Sequence, residues 1–321
     1  MNKTNRLNKK NVFVTGGAGF IGSNLVGMLL DIGCQVTAYD NLSLGKIEFI
    51  EKYFANPNFK FVEKDLLDIR ALKKNIANHK VVFHMAANSD IGFDAHTTDV
   101  DLKQGTVVTY NVLEAMRVNG AKEIIFASSS AVYGEPKKKP TPEDYGPLSP
   151  ISLYGASKLA CEALISSFCH CFGFRAWIFR FANIIGANGT HGVVYDFIKK
   201  LKNNPRKLRI LGNGKQSKPY LHVSECIEGM IYGHCHSNDN VNVFNLTCEG
   251  TTNVKTIAKL VISEMGLKNI KQEFTGSSRG WLGDVPQVAL DALKLKKLGW
   301  NAKYTSNQTV RQGIGELLSQ I

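Results

Sequence analysis

Tyr154 and Lys158 stand four residues apart in Tyr-Gly-Ala-Ser-Lys, a spacing that puts both side chains on one face of a helix. A phenol with its usual pKa of ~10 is a poor base at neutral pH. An ammonium beside it favours the phenolate and makes it a better one. Upstream, Ser128-Ser129-Ser130-Ala131-Val132-Tyr133-Gly134 offers three hydroxyls. One of them, with Ser129 the candidate, would orient an alcohol and stabilise charge on its oxygen as the proton leaves. On spacing alone, Ser128 and Ser130 compete with it. The chemistry is removal of a proton from an alcohol, and it requires an acceptor for the hydride.

The acceptor's site lies near the N-terminus. Val12-Phe13-Val14-Thr15 reads as a strand and runs into Gly16-Gly17-Ala18-Gly19-Phe20-Ile21-Gly22. Gly16 permits the tight turn, Gly19 lets a pyrophosphate approach the backbone and the helix N-terminus, and Gly22 permits close packing. Phe20 and Ile21 open the helix and complete the cradle. The second strand ends in Asp40-Asn41. A carboxylate there accepts hydrogen bonds from both adenosine ribose hydroxyls and repels a 2′-phosphate, so NAD is expected rather than NADP. Asp65-Leu66 ends the third strand, where the carboxylate meets the adenine amino group or caps a helix. Ala86 and Ala87, after the fourth, are small enough to leave the cofactor room. Lys158 can also bond the nicotinamide ribose, tying base and cofactor together.

Short apolar runs alternate with helical patterns across the first half, the signature of βαβ units and a parallel sheet. The candidate strands are Val12–Thr15, Gln35–Tyr39, Phe59–Val62, Val81–Met85, Ile124–Ser128 and Ala176–Phe181, with helices after Gly19, Asp68 and Thr97 and another from about Ser152. Past Asn183 the glycine-rich loops 186–192, 212–214 and 276–280 change the character. The expected architecture is a Rossmann-type, doubly wound α/β sheet with a smaller C-terminal substrate-binding lobe. The divisions are a basic tail 1–10, an NAD-binding domain 11–183 and a lobe 184–321, from which 241–247 returns to the main sheet.

With 321 residues, 44% hydrophobic and 21% charged, the chain can bury a large core. No apolar run approaches the ~18 residues of a membrane span, and no apolar segment of a signal peptide follows the basic start. Seven cysteines, none in a Cys-x-x-Cys pair, suit a reduced, cytoplasmic protein. Cys169-His170-Cys171 matches no common zinc spacing, so no metal is expected. The net charge of +12 is spread out and not interleaved with aromatics on a known module, which argues against nucleic-acid binding. A basic surface draws in anionic substrates.

From about Lys10 to about Trp300 the chain resembles the extended short-chain dehydrogenases/reductases, in the nucleotide-sugar epimerase/dehydratase group. The resemblance rests on TGGAGFIG, Asp40-Asn41, Asp65-Leu66, His84-Met85-Ala86-Ala87, SSSAVYG, YGASK, Arg180-Phe181-Ala182-Asn183, Tyr220-Leu221-His222-Val223 and Arg279-Gly280-Trp281-Leu282-Gly283-Asp284-Val285-Pro286. It implies a nucleotide-diphosphate sugar, with Asn183 on its phosphate or sugar, Lys218 and Arg279 on the diphosphate, Val193 and Val194 near the base, and Ser130 beside the sugar. It also implies a homodimer packed through helices at about 97–118 and 152–172. The dehydratases and decarboxylases of the group carry acids just after the catalytic hydroxyl. Here those positions are Ser130 and Ala131, which favours oxidation and re-reduction at carbon 4, a 4-epimerase, over a dehydratase, decarboxylase or reductase. A non-catalytic NAD sensor is the remaining alternative, though such relatives usually lack the tyrosine or lysine. Gly105 replaces a common asparagine, so one contact to cofactor or backbone is expected to be lost; Lys218 replaces arginine and Ala187 a proline. Val288 stands where members restricted to unsubstituted hexoses carry tyrosine. The smaller side chain leaves room for an N-acetyl group, pointing to UDP-N-acetylglucosamine or its galacto epimer; as a plain core residue, it would leave UDP-glucose.

Overall fold

The structure, a computed structural model, describes residues 6–88 and 97–321. Its centre is a seven-stranded sheet: β1 (Asn11–Thr15), β2 (Gln35–Asp40), β3 (Phe59–Glu63), β4 (Val81–His84), β5 (Glu123–Ser129), β6 (Arg175–Phe181) and β11 (Val241–Leu246). The spatial order is β11-β6-β5-β4-β1-β2-β3, with every pairing parallel. β1 pairs with both β2 and β4, so the strand order reverses there. A crevice opens at such a switch point, outside the carboxyl ends of the strands.

The strands are apolar on both sides because helices cover both faces. On one face pack α1 (Phe20–Asp31) and α6 (Val223–His236), through Leu25, Val26, Leu29, Ile227 and Met230. On the other pack α2 (Ile69–Asn75), α3 (Val108–Asn119) and α4 (Leu153–Phe172), through Leu72, Val112, Met116 and Ile165. Asp68 caps α2, Ser152 caps α4, and Gly120 ends α3 in the left-handed conformation. Ahead of α3 the helix is not regular: Leu102–Val107 is a π-helical stretch.

The lobe has its own core around α5 (Val193–Asn203), α7 (Val254–Glu264) and α9 (Ser306–Gln320), where Phe197, Ile198, Leu201, Ile257, Val261, Val310 and Ile314 meet. Three two-stranded pairs join it: β7 (Asn183–Ile185) with β10 (Tyr220–His222), β8 (Lys207–Ile210) with β13 (Lys271–Phe274), and β9 (Ser217–Lys218) with β12 (Thr252–Asn253).

Two boundaries differ from the sequence reading. The return to the main sheet takes in α6 as well as β11, and α8 (Leu293–Leu298) joins them through Leu295. The parallel connection from β6 to β11 needs a covering helix, and α6 supplies it. The expected tail 1–10 is packed from Arg6 onward: Leu7 is fully buried, and Arg6 donates to the His234 carbonyl at 2.9 Å. Its first five residues lie outside the described residues.

Candidate active site

The glycine string forms the strand–turn–helix that its spacing predicts. Gly16 has φ +67°, and a Cβ on Gly22 would lie 1.9 Å from the Gly16 carbonyl oxygen, so neither accepts a side chain. At Gly19 the nearest atom to a Cβ would be the Gly16 carbonyl oxygen, at 3.2 Å. The turn is thus tight beneath and accessible above, which fits a pyrophosphate at the N-terminus of α1. Phe20 and Ile21 are half-buried at the helix start.

Asp40 is buried and braces the same turn, accepting hydrogen bonds from the Ala18 and Leu42 amides at 3.0 and 2.9 Å. Burial raises its pKa, and these amides pull it back down. Carboxylate lone pairs left over suit a ribose diol. Asn41 donates to Asp65 at 2.8 Å, and Asp65 also caps the Leu67 amide at 2.7 Å. The Leu66 side chain is buried while its carbonyl accepts from Asn111. Ala86 lies against Thr15, whose hydroxyl accepts from its amide at 3.3 Å, and Ala87 is half-buried beside it. This half of the site fits NAD.

The structure separates the three serines. Ser128 donates to Glu162 and faces the interior. Ser130 begins a short 3₁₀ turn, Ser130–Tyr133. Ser129 accepts from the Ala131 amide at 3.2 Å and lies near enough to Tyr154 to lower the phenol's pKa. Lys158 is buried, donates to the Ala127 carbonyl at 2.7 Å and lies 5.7 Å from the Tyr154 ring centre. Burial pushes Tyr154 up to about 12, against the nearby Ser129 hydroxyl, which lowers it. Burial lowers Lys158 to about 8, with Cys161, Asp101 and Glu162 opposing. Both groups are therefore held toward their uncharged forms, where a modest added charge moves a proton.

Beneath them lies a network the sequence reading missed. Arg180 pairs with Glu162 at 2.7 Å and also donates to Tyr133 and the Glu143 carbonyl; Tyr133 donates to Asn245 at 2.8 Å. Glu162 follows Lys158 by four residues, so the helical periodicity that pairs Tyr154 with Lys158 carries on to it. His84 bridges Thr15 and Thr109 at 2.7 and 3.0 Å, and burial holds it at about 3, so it is neutral.

The expected substrate residues are less uniformly gathered. Lys218 and Arg279 converge on Asp284: Lys218 pairs with its carboxylate at 2.6 Å and Arg279 donates to its carbonyl. Arg279 also reaches Glu135 at 2.9 Å. Asn183 pairs with the buried Tyr220 across the β7–β10 ladder. Val193 is half-buried at the start of α5, whereas the Val194 side chain is spent in the lobe core. Val288 is half-buried, its amide donating to the Ser217 carbonyl at 3.1 Å. Gly105 is not a simple loss of contact: a Cβ there would lie 2.1 Å from the Ser157 hydroxyl, so the bare backbone is what lets the π-helical stretch meet α4. Cys169 is buried and Cys171 exposed. Among the described residues, no three His, Cys, Asp or Glu side chains group as a metal site would need.

The family model for NAD-dependent epimerases/dehydratases matches residues 12–247. A UDP-glucose 4-epimerase of Mycolicibacterium smegmatis is 30% identical over 295 residues, 89% of this chain and 92% of that one. A crystal structure of UDP-galactose 4-epimerase, 36% identical, superposes with a TM-score of 0.87 over 97% of this chain and 99% of that one. The UDP-N-acetylglucosamine 4-epimerase of Methanobrevibacter ruminantium, solved with UDP-N-acetylmuramic acid, is 27% identical with a TM-score of 0.84, over 98% and 100%. The chain belongs to the NAD-dependent epimerase/dehydratase family, as an epimerase enzyme of the extended short-chain dehydrogenase/reductase type.

Proposed function

We propose that the enzyme is a 4-epimerase of a UDP-hexose, interconverting gluco and galacto forms through a 4-keto sugar. The observation that carries this reading is the gathering of Ser129, Tyr154 and Lys158, the ammonium 5.7 Å from the phenol ring centre, with Ser130 and Ala131, neither an acid, opening the turn after Ser129. NAD held at the Gly16–Gly22 turn and Asp40 would supply the acceptor and donor of hydride at carbon 4. Ser129 orients the sugar 4-hydroxyl, and Tyr154 takes its proton as the carbonyl forms. Lys158 holds positive charge against the phenolate. After the 4-keto sugar turns over in the pocket, Tyr154 returns the proton to the oxygen. Lys218 and Arg279 leave Asp284 and Glu135 to meet the diphosphate, exchanging one anion for another. Asn183 contacts the phosphate or sugar, Ser130 lies beside the sugar, and Val193 approaches the base.

Val288 supports a pocket that takes an N-acetyl group at carbon 2, and the UDP-N-acetylglucosamine 4-epimerase neighbour is consistent with it. Incubation with UDP-N-acetylglucosamine and no added NAD, followed by proton NMR of the anomeric signals, tests both points. The galacto epimer is the expected product, and its absence with added NAD as well would overturn the N-acetyl assignment. If UDP-glucose also stays unchanged, the 4-epimerase reading fails.

Tyr110, Phe168 and Phe172 form a chain of ring contacts across α3 and α4, and Tyr110, Val118, Leu153 and Phe172 are exposed. An apolar band of this kind suits a second copy of the chain. We read the enzyme as a homodimer through it, and Tyr110→Glu should yield a monomer by light scattering. All seven thiols are unpaired, which suits a cytoplasmic enzyme. No helix among the described residues is long and apolar enough to cross a membrane.

A further inference from the structure

Arg180 of β6 lies opposite Ser128 of β5 in the parallel pairing, and its buried guanidinium reaches two elements at once. Toward α4 it forks onto Glu162, with Nε 3.0 Å from one carboxylate oxygen and Nη2 2.7 Å from the other. Toward the turn Ser130–Tyr133 it donates from Nη1 to the Tyr133 hydroxyl at 2.9 Å, and to the Glu143 carbonyl at 3.0 Å. Those two elements carry the reacting groups. Helix α4 bears Tyr154 and Lys158, with Glu162 one turn beyond Lys158. The turn has Ser129 at its head, where the Ser129 hydroxyl accepts from the Ala131 amide. The backbone is pinned on either side of Ser129. Ahead of it, Lys158 donates to the Ala127 carbonyl at 2.7 Å and Ser128 donates to Glu162. Behind it, Tyr133 is held by Arg180 and donates to Asn245 at 2.8 Å.

We propose that Arg180 is a positioning residue of the reacting centre: by holding Glu162 and Tyr133 together, its guanidinium fixes where the Ser129 hydroxyl stands relative to Tyr154 and Lys158. The inference rests on the Ser129–Tyr154–Lys158 reading above. Apolar side chains of similar volume would fasten β5, β6 and α4 without taking an ion pair out of water. A planar fork does what they cannot, since its N–H groups set direction as well as distance. A lysine keeps the charge and loses the fork, so it meets Glu162 or Tyr133 without fixing one against the other. The frame extends toward the lobe. Asn245, which accepts from Tyr133, donates to the Thr141 and Asp291 carbonyls at 2.9 Å each, and the Thr141 amide donates to the Ala289 carbonyl at 2.8 Å. The turn that carries Ser129 is thereby tied to the segment that follows Val288.

Arg180→Lys should lower kcat about 10- to 100-fold with KM within about twofold, because a misplacement of about 1 Å between reacting groups is felt in the transition state and not in ground-state binding. The signature of positioning is non-additivity. In a Ser129→Ala background, where the hydroxyl it directs is gone, Arg180→Lys should slow turnover by less than about threefold. Tyr133→Phe cuts the turn from Arg180 and leaves the ion pair in place. It is held to the same direction of split and the same non-additivity, and it decides the matter should Arg180→Lys not fold. A crystal structure of either variant loaded with NAD needs no turnover: the Ser129 hydroxyl should stand about 0.5–1 Å from its wild-type position relative to Tyr154. A lower melting temperature with kcat per folded molecule unchanged would make Arg180 merely structural and overturn the proposal. So would a full, multiplicative loss in the Ser129→Ala background, or an unmoved Ser129. If the wild-type protein turns over no sugar, the proposed function fails, while the crystal structure still decides the role of Arg180.

Discussion

Strand β5 begins at Glu123 and ends at Ser129, about 20 Å apart along a strand rising ~3.3 Å per residue, and both ends bury ionisable groups. At the amino end, Arg6 and Lys10 lie 3.2 and 3.8 Å from Glu123, and Arg175 and His234 also bond it. Burial alone would raise this carboxylate, but the His234 hydrogen bond and the charges of His234, Lys10 and Arg6 overcome it and hold Glu123 at about 2. At the carboxyl end the balance is reversed. Burial outweighs the partners at Asp40, Asp101, Tyr154 and Lys158, and each is shifted toward its uncharged form. One end of the sheet saturates its charge and stabilises the fold. The other leaves charge under-compensated, ready for a ligand or a proton.

If that division is right, Tyr154→Phe should cost the most turnover and the least stability. Loss of the proposed general acid–base group is expected to lower kcat about 10³-fold, while the unfolding free energy stays within about 0.5 kcal/mol. Steady-state kinetics and denaturant melts check both halves. A large loss of stability would break the comparison at its carboxyl end.

Glu123→Ala should do the opposite. Glu123 is nearly buried but Arg6, Lys10 and Arg175 keep contact with water, so removing the carboxylate costs about 1–3 kcal/mol, with turnover per folded molecule unchanged within about twofold. The pH dependence carries the same information. Because the folded pKa is depressed below the ordinary 4.5, the stabilisation is full above about 4.5 and is lost as pH falls toward about 2. Stability measured across that window should slope steeply in the wild type and flatten in Glu123→Gln.

Asp40 sits between the two cases, since it braces the glycine turn and is proposed to meet the cofactor's ribose. Asp40→Asn should raise the Kd for NAD about 10- to 100-fold and narrow the preference over NADP, with a smaller stability loss. Titration calorimetry with both cofactors reads it. A stability loss as large as that of Glu123→Ala would reassign Asp40 to the structural class.

The two ends also differ in how far the sequence disclosed them. Gly16, Gly19, Gly22, Tyr154 and Lys158 each act within a single turn or helix face, so spacing alone places them. Ser129 needed the fold, because three consecutive hydroxyls differ in direction and not in spacing, and Glu162 took Ser128 out of contention. The π turn at Leu102–Val107 was not legible either, because it breaks the 3.6-residue period from which side-chain directions are read. The Glu123 cluster gathers residues 6, 10, 123, 175 and 234, and no local pattern joins them. Residues 6–10 therefore read as part of a tail in sequence and as an anchor in the structure.

The substrate lobe tests the comparison most finely, since its residues are held by segments short enough to adjust. Val288 follows Pro286, whose carbonyl accepts from the Ser217 amide, and its own amide returns to Ser217. Lys218, next along the same strand β9, pairs with Asp284. A bulkier side chain at position 288 therefore grows from a backbone pinned beside an expected diphosphate contact, and cannot retreat without disturbing it. Val288→Tyr should lower kcat/KM for UDP-N-acetylglucosamine about tenfold, through a steric term of ~1.4 kcal/mol, and leave UDP-glucose within about twofold. A parallel fall for both sugars would mean that the tyrosine displaced β9 and the Lys218 contact, making position 288 part of the lobe's packing. A loss confined to the N-acetyl sugar would place specificity in a residue that neither end of β5 controls.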